Sequence, residues 1–338
     1  MPDIQLKDVL ARECSFCVLP FLHHYQDINN TRSVCCTSDI PVTPERLVGI
    51  QQDMLAGLPV PECTVCLEQE QRETVSHRQQ HNREWFRRYP KLVQATIEEP
   101  KTYSYDLRYS NLCNLRCQTC GPKASSEWAR HLLEDDVNPD TRALYSQPTS
   151  KHLGWDPDMQ DIQPDARKIY FAGGEPFLIK SFSRVLDRVE NTDCEIVVNT
   201  NATVLTEHLL TALERFTNVC FQLSIDGTGE VIERIRTLCS WDQICANIET
   251  LRTRLNPSFS VNTVVQRDNV ANIPELACWI DSQDITLWDV YLLEEGDPFS
   301  YTLYDGALRW DSVWHRTCLK SNPRTASKLR RVQSILSP

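Results

Sequence analysis

The stretch Cys113–Cys120 has the sequence CNLRCQTC, in which three cysteines follow a C-x3-C-x2-C spacing. Three thiolates this close together cannot all point at one zinc ion from a single helix face, but a loop can wrap them around one corner of a [4Fe–4S] cluster. Such clusters normally take four cysteine ligands, so a local set of three leaves one iron open. An open metal position is typical of catalytic sites, and the spacing therefore indicates chemistry rather than storage.

The flanking sequence predicts that this stretch follows a β-strand. Residues 103–109 alternate and are rich in aromatic side chains, as strands are. Residues 168–172 predict a second strand, which ends in the run Gly173-Gly174-Glu175-Pro176. With 15 cysteines in 338 residues, the cysteine spacing alone arises by chance in roughly 3% of such chains. A chance match of both motifs on consecutive strands is far rarer.

On these two motifs the chain resembles the radical S-adenosylmethionine (SAM) superfamily. The resemblance implies a [4Fe–4S] cluster with an open iron, bound by Cys113, Cys117 and Cys120, which act as the catalytic residues. It implies that the Gly-Gly-Glu-Pro run contacts the methionine amino group of SAM. Reductive cleavage of SAM would then give a 5′-deoxyadenosyl radical that abstracts hydrogen from a substrate C–H bond. The family usually has an aromatic residue where this chain has Thr119, so the usual side-chain contact to adenine is not expected.

Strand and helix patterns alternate from residue 101 to residue 295, which favours parallel strands joined by crossover helices. The predicted strands are 103–109, 168–172, 194–199, 219–225, 259–265 and 287–292, and the predicted helices are 125–133, 178–189, 207–216, 243–254 and 274–280. Six such units make the partial (β/α)6 TIM-like barrel that the resemblance implies. We predict an α/β chain with an N-terminal Cys-rich auxiliary metal-binding domain at 1–100, a barrel at 101–295 with an acidic insertion at 134–165, and a C-terminal extension at 296–338.

Polar residues gather where the predicted strands end, and in barrels of this kind the chemistry lies at those ends. Each residue alone could be a turn or capping residue. Taken together, they match where the superfamily binds the ribose and carboxylate of SAM. The predicted SAM contacts are Gly173, Gly174, Glu175, Pro176, Asn199, Thr200, Ser224, Asp226 and Val265, with Asn201, Gln266 and Arg267 beside them.

The first 90 residues carry a second set of cysteines, in two C-x2-C pairs and one adjacent pair. Buried reduced thiols are one interpretation, since free cysteines behave as small hydrophobes. A structural zinc is the second, with Cys14, Cys17, Cys63 and Cys66 as an all-cysteine tetrahedral site, although the gap between the pairs is much longer than in an ordinary zinc ribbon. An auxiliary iron–sulfur cluster is the third. The cysteines are Cys14, Cys17, Cys35, Cys36, Cys63 and Cys66.

This region also resembles the N-terminal part of twitch-type radical SAM proteins, whose small Cys-rich twitch and SPASM modules hold auxiliary clusters. Arg78 and Asn82 fit that pattern. The resemblance implies an auxiliary [4Fe–4S] cluster. Its implied ligands are Cys17, one of Cys35 and Cys36, Cys63 and Cys66, with Cys14 as a further candidate ligand.

Composition excludes several classes of function. The net charge of −11 weighs against nucleic-acid binding, which needs clustered cations to neutralise phosphates. No run of about 18 apolar residues predicts a membrane span. The first residues lack the apolar segment of a secretion signal. Many cysteines without such a signal favour the reducing cytoplasm and metal ligation over disulfides.

Resemblance to twitch and SPASM enzymes implies a peptide substrate, or a small metabolite or sugar. An electron donor such as ferredoxin or flavodoxin would supply the reducing electron. An auxiliary cluster that accepts an electron would make the net reaction oxidative, for example a crosslink or a dehydrogenation. The alternative from another class is a zinc- or iron–sulfur-binding adaptor or redox sensor without radical catalysis.

Overall fold

The computed structural model describes residues 15–72, 75–134, 137–144, 150, 152–156, 158–285, 287–293, 300, 327–328 and 332. Its strands are β1 (His23–Gln26), β2 (Arg32–Ser33), β3 (Ser104–Leu107), β4 (Arg116–Cys117), β5 (Lys168–Phe171), β6 (Glu195–Thr200), β7 (Asn218–Ser224), β8 (Arg236–Thr237), β9 (Ser258–Val265) and β10 (Leu287–Leu292).

Eight of these strands form one sheet in the order β10-β9-β7-β6-β5-β3-β1-β2. Neighbouring strands are parallel except for β1 and β2, which are antiparallel. The six predicted strands are confirmed as β3, β5, β6, β7, β9 and β10, in sequential order. Among the described residues no pairing joins β10 to β2, so the sheet is an open, partial barrel.

Helices connect the neighbouring parallel strands from β3 to β10 and cover one face of the sheet. The predicted helices are present, with ends that differ by a few residues. Thr206 lies at the N-cap position of the helix that begins at Glu207, but its hydroxyl donates to the Phe177 carbonyl instead of capping the helix. The helices are α1 (Leu19–Leu22), α2 (Pro44–Leu55), α3 (Thr64–Gln71), α4 (His77–Arg88), α5 (Pro90–Glu98), α6 (Ser126–Leu132), α7 (Pro139–Leu144), α8 (Ser181–Arg188), α9 (Glu207–Leu213), α10 (Gly229–Ile235), α11 (Trp241–Leu255) and α12 (Ile273–Ser282).

The main hydrophobic core lies between this sheet and its helices. Because side chains alternate along a strand, Ile169 and Phe171 of β5 face the helices, and the rings of Phe171 and Phe182 lie 4.3 Å apart. Tyr170 between them points to the opposite face, where its hydroxyl donates to Gln222 at 2.8 Å. We call this opposite, polar face of the sheet the inner face.

The N-terminal region has a hydrophobic core of its own, made mainly by α1, α2, α4 and α5. It is also joined to the barrel, because β1 pairs in parallel with β3 and β2 extends the sheet by one more strand. These two strands are not among the predicted ones. They are short and polar, with the sequences HHYQ and RS, so periodicity gives no signal for them.

The predicted acidic insertion is described only in part. It contains α7 and a short 3-10 helix, Met159–Asp161. Trp155 ties it to the rest of the molecule, because the indole donates to the Asp27 carbonyl at 2.8 Å. Most of the predicted C-terminal extension lies outside the described residues. No helix within the described ranges has the length and apolar character needed to cross a membrane.

Candidate active site

The C-x3-C-x2-C stretch lies in the loop that follows β3, as predicted, and is held from both sides. The Ser126 hydroxyl is within 3.1 Å of both the backbone nitrogen and the carbonyl of Cys113. The Trp128 indole donates to the Cys117 carbonyl at 2.8 Å. The short strands β4 and β8 pair Cys117 with Arg236. These contacts hold the backbone of the loop in place.

The three thiols of this loop converge. Those of Cys117 and Cys120 are hydrogen-bonded to each other, and both lie close enough to Cys113 to interact electrostatically. Burial raises the pKa of Cys113 to about 12. The hydrogen bond with Cys120, aided by the charge of Arg236, lowers the pKa of Cys117 instead. Three convergent sulfur donors fit the corner of an iron–sulfur cluster.

The Gly-Gly-Glu-Pro run packs directly against the cysteine loop. Gly173 and Gly174 have φ angles of +79° and +53°, where a side chain is strained. A Cβ on Gly174 would overlap the Leu112 carbonyl oxygen, and one on Gly173 would lie 3.2 Å from the Arg108 Cα. The backbone nitrogen of Glu175 donates to the Leu112 carbonyl at 2.7 Å. Only glycines allow this close approach.

Glu175 is completely buried at the end of β5. Its carboxylate accepts hydrogen bonds from the Thr200 hydroxyl at 2.7 Å, from the Asn201 backbone nitrogen at 2.8 Å and from the Phe177 backbone nitrogen at 3.3 Å. The cost of burying its charge outweighs these bonds and raises the pKa of Glu175 to about 7. A buried carboxylate of this kind suits a cationic or N–H-bearing ligand.

Other predicted strand-end residues join this site. The Asn201 side chain lies between the Cys113 sulfur, at 3.9 Å, and the Asn114 side-chain oxygen, at 3.2 Å. The Ser224 hydroxyl donates to the Asn199 side-chain oxygen at 3.1 Å on the inner face. The buried side-chain oxygen of Gln266 has no hydrogen-bond partner in the described structure.

Two of the predicted contacts offer the site no polar side chain. The Val265 side chain is buried in the core on the helix side of the sheet, so it does not face the strand-end site. Pro176 is buried at the start of a short 3-10 helix, Pro176–Leu178. Its ring fixes the turn after Glu175 instead of presenting a polar group.

Arg236 is a site residue that the sequence analysis missed. It is ion-paired with the predicted residue Asp226, at 2.8 Å between Nη2 and Oδ2, and its Nη1 lies 3.7 Å from the Cys117 sulfur. The second Asp226 oxygen accepts from the Val264 backbone nitrogen. Arg236 reaches the cysteine loop only because β8 pairs with β4. Nothing in its local sequence signals that long-range pairing.

The N-terminal cysteines form a second convergent set. The thiols of Cys17, Cys35, Cys63 and Cys66 line one cavity between α1, β2 and α3. All four interact electrostatically, and burial is the main cause that raises the pKa of Cys17, Cys35 and Cys63. Four sulfur donors around one cavity match the full ligand set of an iron–sulfur cluster or of an all-cysteine zinc site.

The two adjacent cysteines, Cys35 and Cys36, face different parts of the structure. Cys35 faces the four-cysteine cavity, whereas Cys36 lies 3.8 Å from the His77 ring and beside Asp106 on the inner face. Cys14, the further candidate ligand, lies outside the described residues. In the part of the chain with described coordinates, no group of three or more Cys, His, Asp or Glu is arranged to hold a single metal ion.

Arg78 and Asn82 on α4 hold the segment that carries Cys17. Arg78 donates to the Phe16 carbonyl at 3.0 Å and forms a buried ion pair with Glu70, at 2.6 Å. The Asn82 side chain accepts from the Val18 backbone nitrogen and donates to the same Phe16 carbonyl, each at 2.9 Å. These contacts fix the backbone on both sides of Cys17, which explains why the two residues accompany the cysteines.

A known family matches the region of the chain that carries the cysteine loop. The family model described as the radical SAM superfamily matches residues 107–280, more than half of the chain. The chain belongs to the radical SAM superfamily. The match begins at the last residue of β3 and includes the cysteine loop, the Glu175 turn and the strands through β9.

Two curated relatives are similar over part of the radical SAM chain. The mycofactocin maturase MftC of Mycobacterium tuberculosis is 28% identical over 206 residues, which cover 59% of this chain and 47% of the maturase. The tungsten-containing aldehyde ferredoxin oxidoreductase cofactor-modifying protein of Pyrococcus furiosus is 24% identical over 186 residues, 52% of this chain and 47% of that protein. The matched region is about half the length of each relative.

Solved structures with a distantly similar fold include two with bound SAM. Native anSMEcpe with bound AdoMet has a TM-score of 0.43 and 19% identity, covering 59% of this chain and 55% of that chain. Streptococcus suis SuiB bound to S-adenosylmethionine has a TM-score of 0.40 and 13% identity, covering 66% and 56%.

Proposed function

We propose that this protein is a radical SAM enzyme that cleaves SAM reductively at the site formed by the cysteine loop and Glu175. One observation carries the proposal: the three thiols of the cysteine loop converge beside a fully buried carboxylate that has no cation in hydrogen-bond contact among the described residues. Cys113, Cys117 and Cys120 would hold a [4Fe–4S] cluster, and that cluster would supply the electron for reductive cleavage of SAM to methionine and a 5′-deoxyadenosyl radical. The residues of the chain bind, orient and enclose the reactants.

Each site residue then has a physical role in holding SAM. The Glu175 carboxylate accepts a hydrogen bond from the SAM amino group, and low polarity around it strengthens that bond. Asn199 and Ser224, paired on the inner face, offer hydrogen bonds to the ribose hydroxyls. Arg236 stabilises the thiolate of Cys117 and is kept in place by Asp226. Thr200 orients Glu175.

We further propose that the N-terminal cavity binds an auxiliary [4Fe–4S] cluster through Cys17, Cys35, Cys63 and Cys66. Support comes from the four thiols that line one cavity and from the resemblance to twitch-type proteins. Zinc is the alternative occupant by donor type, since four thiolates also satisfy a structural zinc site, although the described thiols are not arranged around a single ion. The domain at 1–100, the barrel at 101–295 and the extension at 296–338 stay part of this proposal.

For the substrate we propose a peptide, with a small metabolite or sugar as the second candidate. The names of the two curated relatives, a maturase and a cofactor-modifying protein, describe proteins that modify another molecule. The resemblance to twitch and SPASM enzymes favours the peptide. An auxiliary cluster on the N-terminal thiols would make the modification a net oxidation, and a ferredoxin or flavodoxin would serve as the electron donor.

Electron paramagnetic resonance tests the SAM site directly. The anaerobically reconstituted and reduced protein should show a cluster signal that changes when SAM is added. A Cys117→Ala variant should lose that SAM-dependent change, whereas the exposed Cys278→Ala control should keep it. A signal in the wild-type protein that SAM leaves unaltered would contradict the proposed binding at an open iron and favour the adaptor or redox-sensor alternative.

A further inference from the structure

An arginine lies on the inner face beside the proposed SAM site and takes no part in the roles described so far. Arg108 follows β3 and, by strand alternation, is on the same face as Asp106. Its Nε and Nη2 atoms each donate to one Asp106 oxygen at 3.1 Å. Its guanidinium also lies over the Tyr25 ring, 5.2 Å from the ring centre. The side chain is therefore fixed in one orientation.

This arrangement uses one edge of the guanidinium and leaves another free. A guanidinium carries five N–H donors, and Asp106 takes one from Nε and one from Nη2. Among the described residues Nη1 has no hydrogen-bond partner, so the edge formed by Nη1 and Nη2 keeps its donors. That edge matches the two oxygens of a carboxylate. The Arg108 side chain is 34% exposed, whereas that of Asp106 is only 8% exposed, so a ligand reaches the arginine and not its partner.

The position of Arg108 links it to the reacting centre. Its Cα would lie 3.2 Å from a Cβ on Gly173, which places its backbone against the turn that carries Glu175. Cys36 and Tyr170 lie close enough for electrostatic interaction with Arg108. Both residues lie on the inner face. Cys36 is not one of the four cysteines that line the N-terminal cavity.

We propose that Arg108 is a specificity-determining residue that binds a carboxylate group of the substrate on the inner face. The proposal rests on the proposed function in one respect, namely that the inner face is the substrate side of the barrel. An oriented guanidinium binds a carboxylate bidentately with little loss of side-chain entropy, because Asp106 and Tyr25 already hold it. A peptide carboxyl terminus, an acidic side chain and a small-molecule acid all carry this group.

Carboxymethylation of Cys36 provides a probe that does not need the unknown substrate. Iodoacetate carries a carboxylate that Arg108 would bind next to the Cys36 sulfur, whereas neutral iodoacetamide lacks it. Both reagents convert the thiolate to a thioether and release iodide. In the reconstituted holoprotein, peptide mass spectrometry should give an iodoacetate-to-iodoacetamide rate ratio at Cys36 that exceeds the ratio at the exposed Cys278. The iodoacetate rate should also saturate with concentration.

The Arg108→Gln variant should lower the ratio at Cys36 about tenfold or more, as loss of a charge-assisted hydrogen bond predicts. It should leave the ratio at Cys278 unchanged. Arg108→Lys keeps the positive charge but lacks the planar pair of N–H donors, and it should give an intermediate ratio at Cys36. Arg254→Gln, which alters an arginine paired with Glu207 and Glu214 on the outer helices, is the matched control and should change neither ratio.

Protection by added carboxylates identifies the source of the group. The three competitors are acetyl-Gly-Gly-Gly with a free carboxyl terminus, acetyl-Gly-Glu-Gly-amide and propionate, and acetyl-Gly-Gly-Gly-amide is the negative control. At least one competitor should slow the iodoacetate reaction at Cys36 in the wild-type protein but not in Arg108→Gln.

The proposal is overturned if the iodoacetate-to-iodoacetamide ratio at Cys36 is the same in Arg108→Gln as in the wild-type protein, or if no carboxylate protects Cys36. None of these measurements depends on SAM cleavage. A failure of the carboxylate site can therefore be told apart from a failure of the proposed radical chemistry.

Discussion

The pH dependence of SAM binding tests the role proposed for Glu175. Burial raises the pKa of this carboxyl group to about 7, and the proposed bond to the SAM amino group needs the carboxylate. A group with that pKa is about one-tenth ionised at pH 6 and about nine-tenths ionised at pH 8. The Glu175 contribution to SAM affinity should therefore rise about tenfold from pH 6 to pH 8, or about 1.4 kcal/mol.

The Glu175→Gln variant isolates this contribution. Glutamine keeps an acceptor oxygen but has no proton to titrate in this range. An α-amino group like that of SAM titrates near pH 8 by itself, so the slope of the wild-type protein alone is not diagnostic. Equilibrium dialysis of radiolabelled SAM against the oxidised holoprotein gives Kd at each pH. Between pH 6 and pH 8 the change in log Kd should be about one unit smaller in the variant. Equal changes in the two proteins would refute the role of Glu175.

Three further predictions concern the metal sites and the backbone around them. Cys35→Ser should lower the iron content from about eight to about four per chain, whereas Cys36→Ser should keep about eight. Iron analysis after anaerobic reconstitution measures both, and equal losses would contradict the assignment of Cys35, and not Cys36, as the cluster ligand. Arg78→Met removes one partner of the buried ion pair with Glu70 and should cost about 3–5 kcal/mol in denaturant unfolding of the metal-free protein. An unchanged midpoint would contradict the role of Arg78 in holding the segment around Cys17. Gly57→Ala, with φ +70° and open space around its Cα, should cost only about 1–2 kcal/mol; Gly174→Ala should cost more and abolish SAM binding, and equal costs would contradict the close packing.

Local sequence signals were sufficient for the barrel and for the cysteine loop. The strand β5 and its turn could be predicted because Ile169 and Phe171 alternate with polar neighbours and end in a glycine pair. Residues fixed by long-range pairing gave no such signal. Arg236 meets Cys117 through the pairing of β8 with β4. Cys35 and Cys36 face different surroundings just after β2, a strand that periodicity does not reveal. Sequence spacing identifies Cys35 and Cys36 as candidate ligands, but it does not show which of the two belongs to the N-terminal metal site.

The N-terminal region shows the same limit on a larger scale. Its cysteines suggested a module apart from the barrel, and it has its own core. The strand His23–Gln26 nevertheless pairs with the first barrel strand. That pairing brings residues of the N-terminal region, such as Tyr25, onto the inner face beside Arg108. Contacts between distant segments of this kind depend on tertiary packing rather than on local pattern.

Formation of 5′-deoxyadenosine from SAM is the most direct measurement of the central claim. The anaerobically reconstituted protein, given SAM and dithionite, should release 5′-deoxyadenosine and methionine in equal amounts, detected by liquid chromatography with mass spectrometry. Cys113→Ala should release none above the protein-free background, while Cys278→Ala should match the wild-type protein. Undiminished 5′-deoxyadenosine from Cys113→Ala, or none from a wild-type protein that holds its iron, would contradict the account.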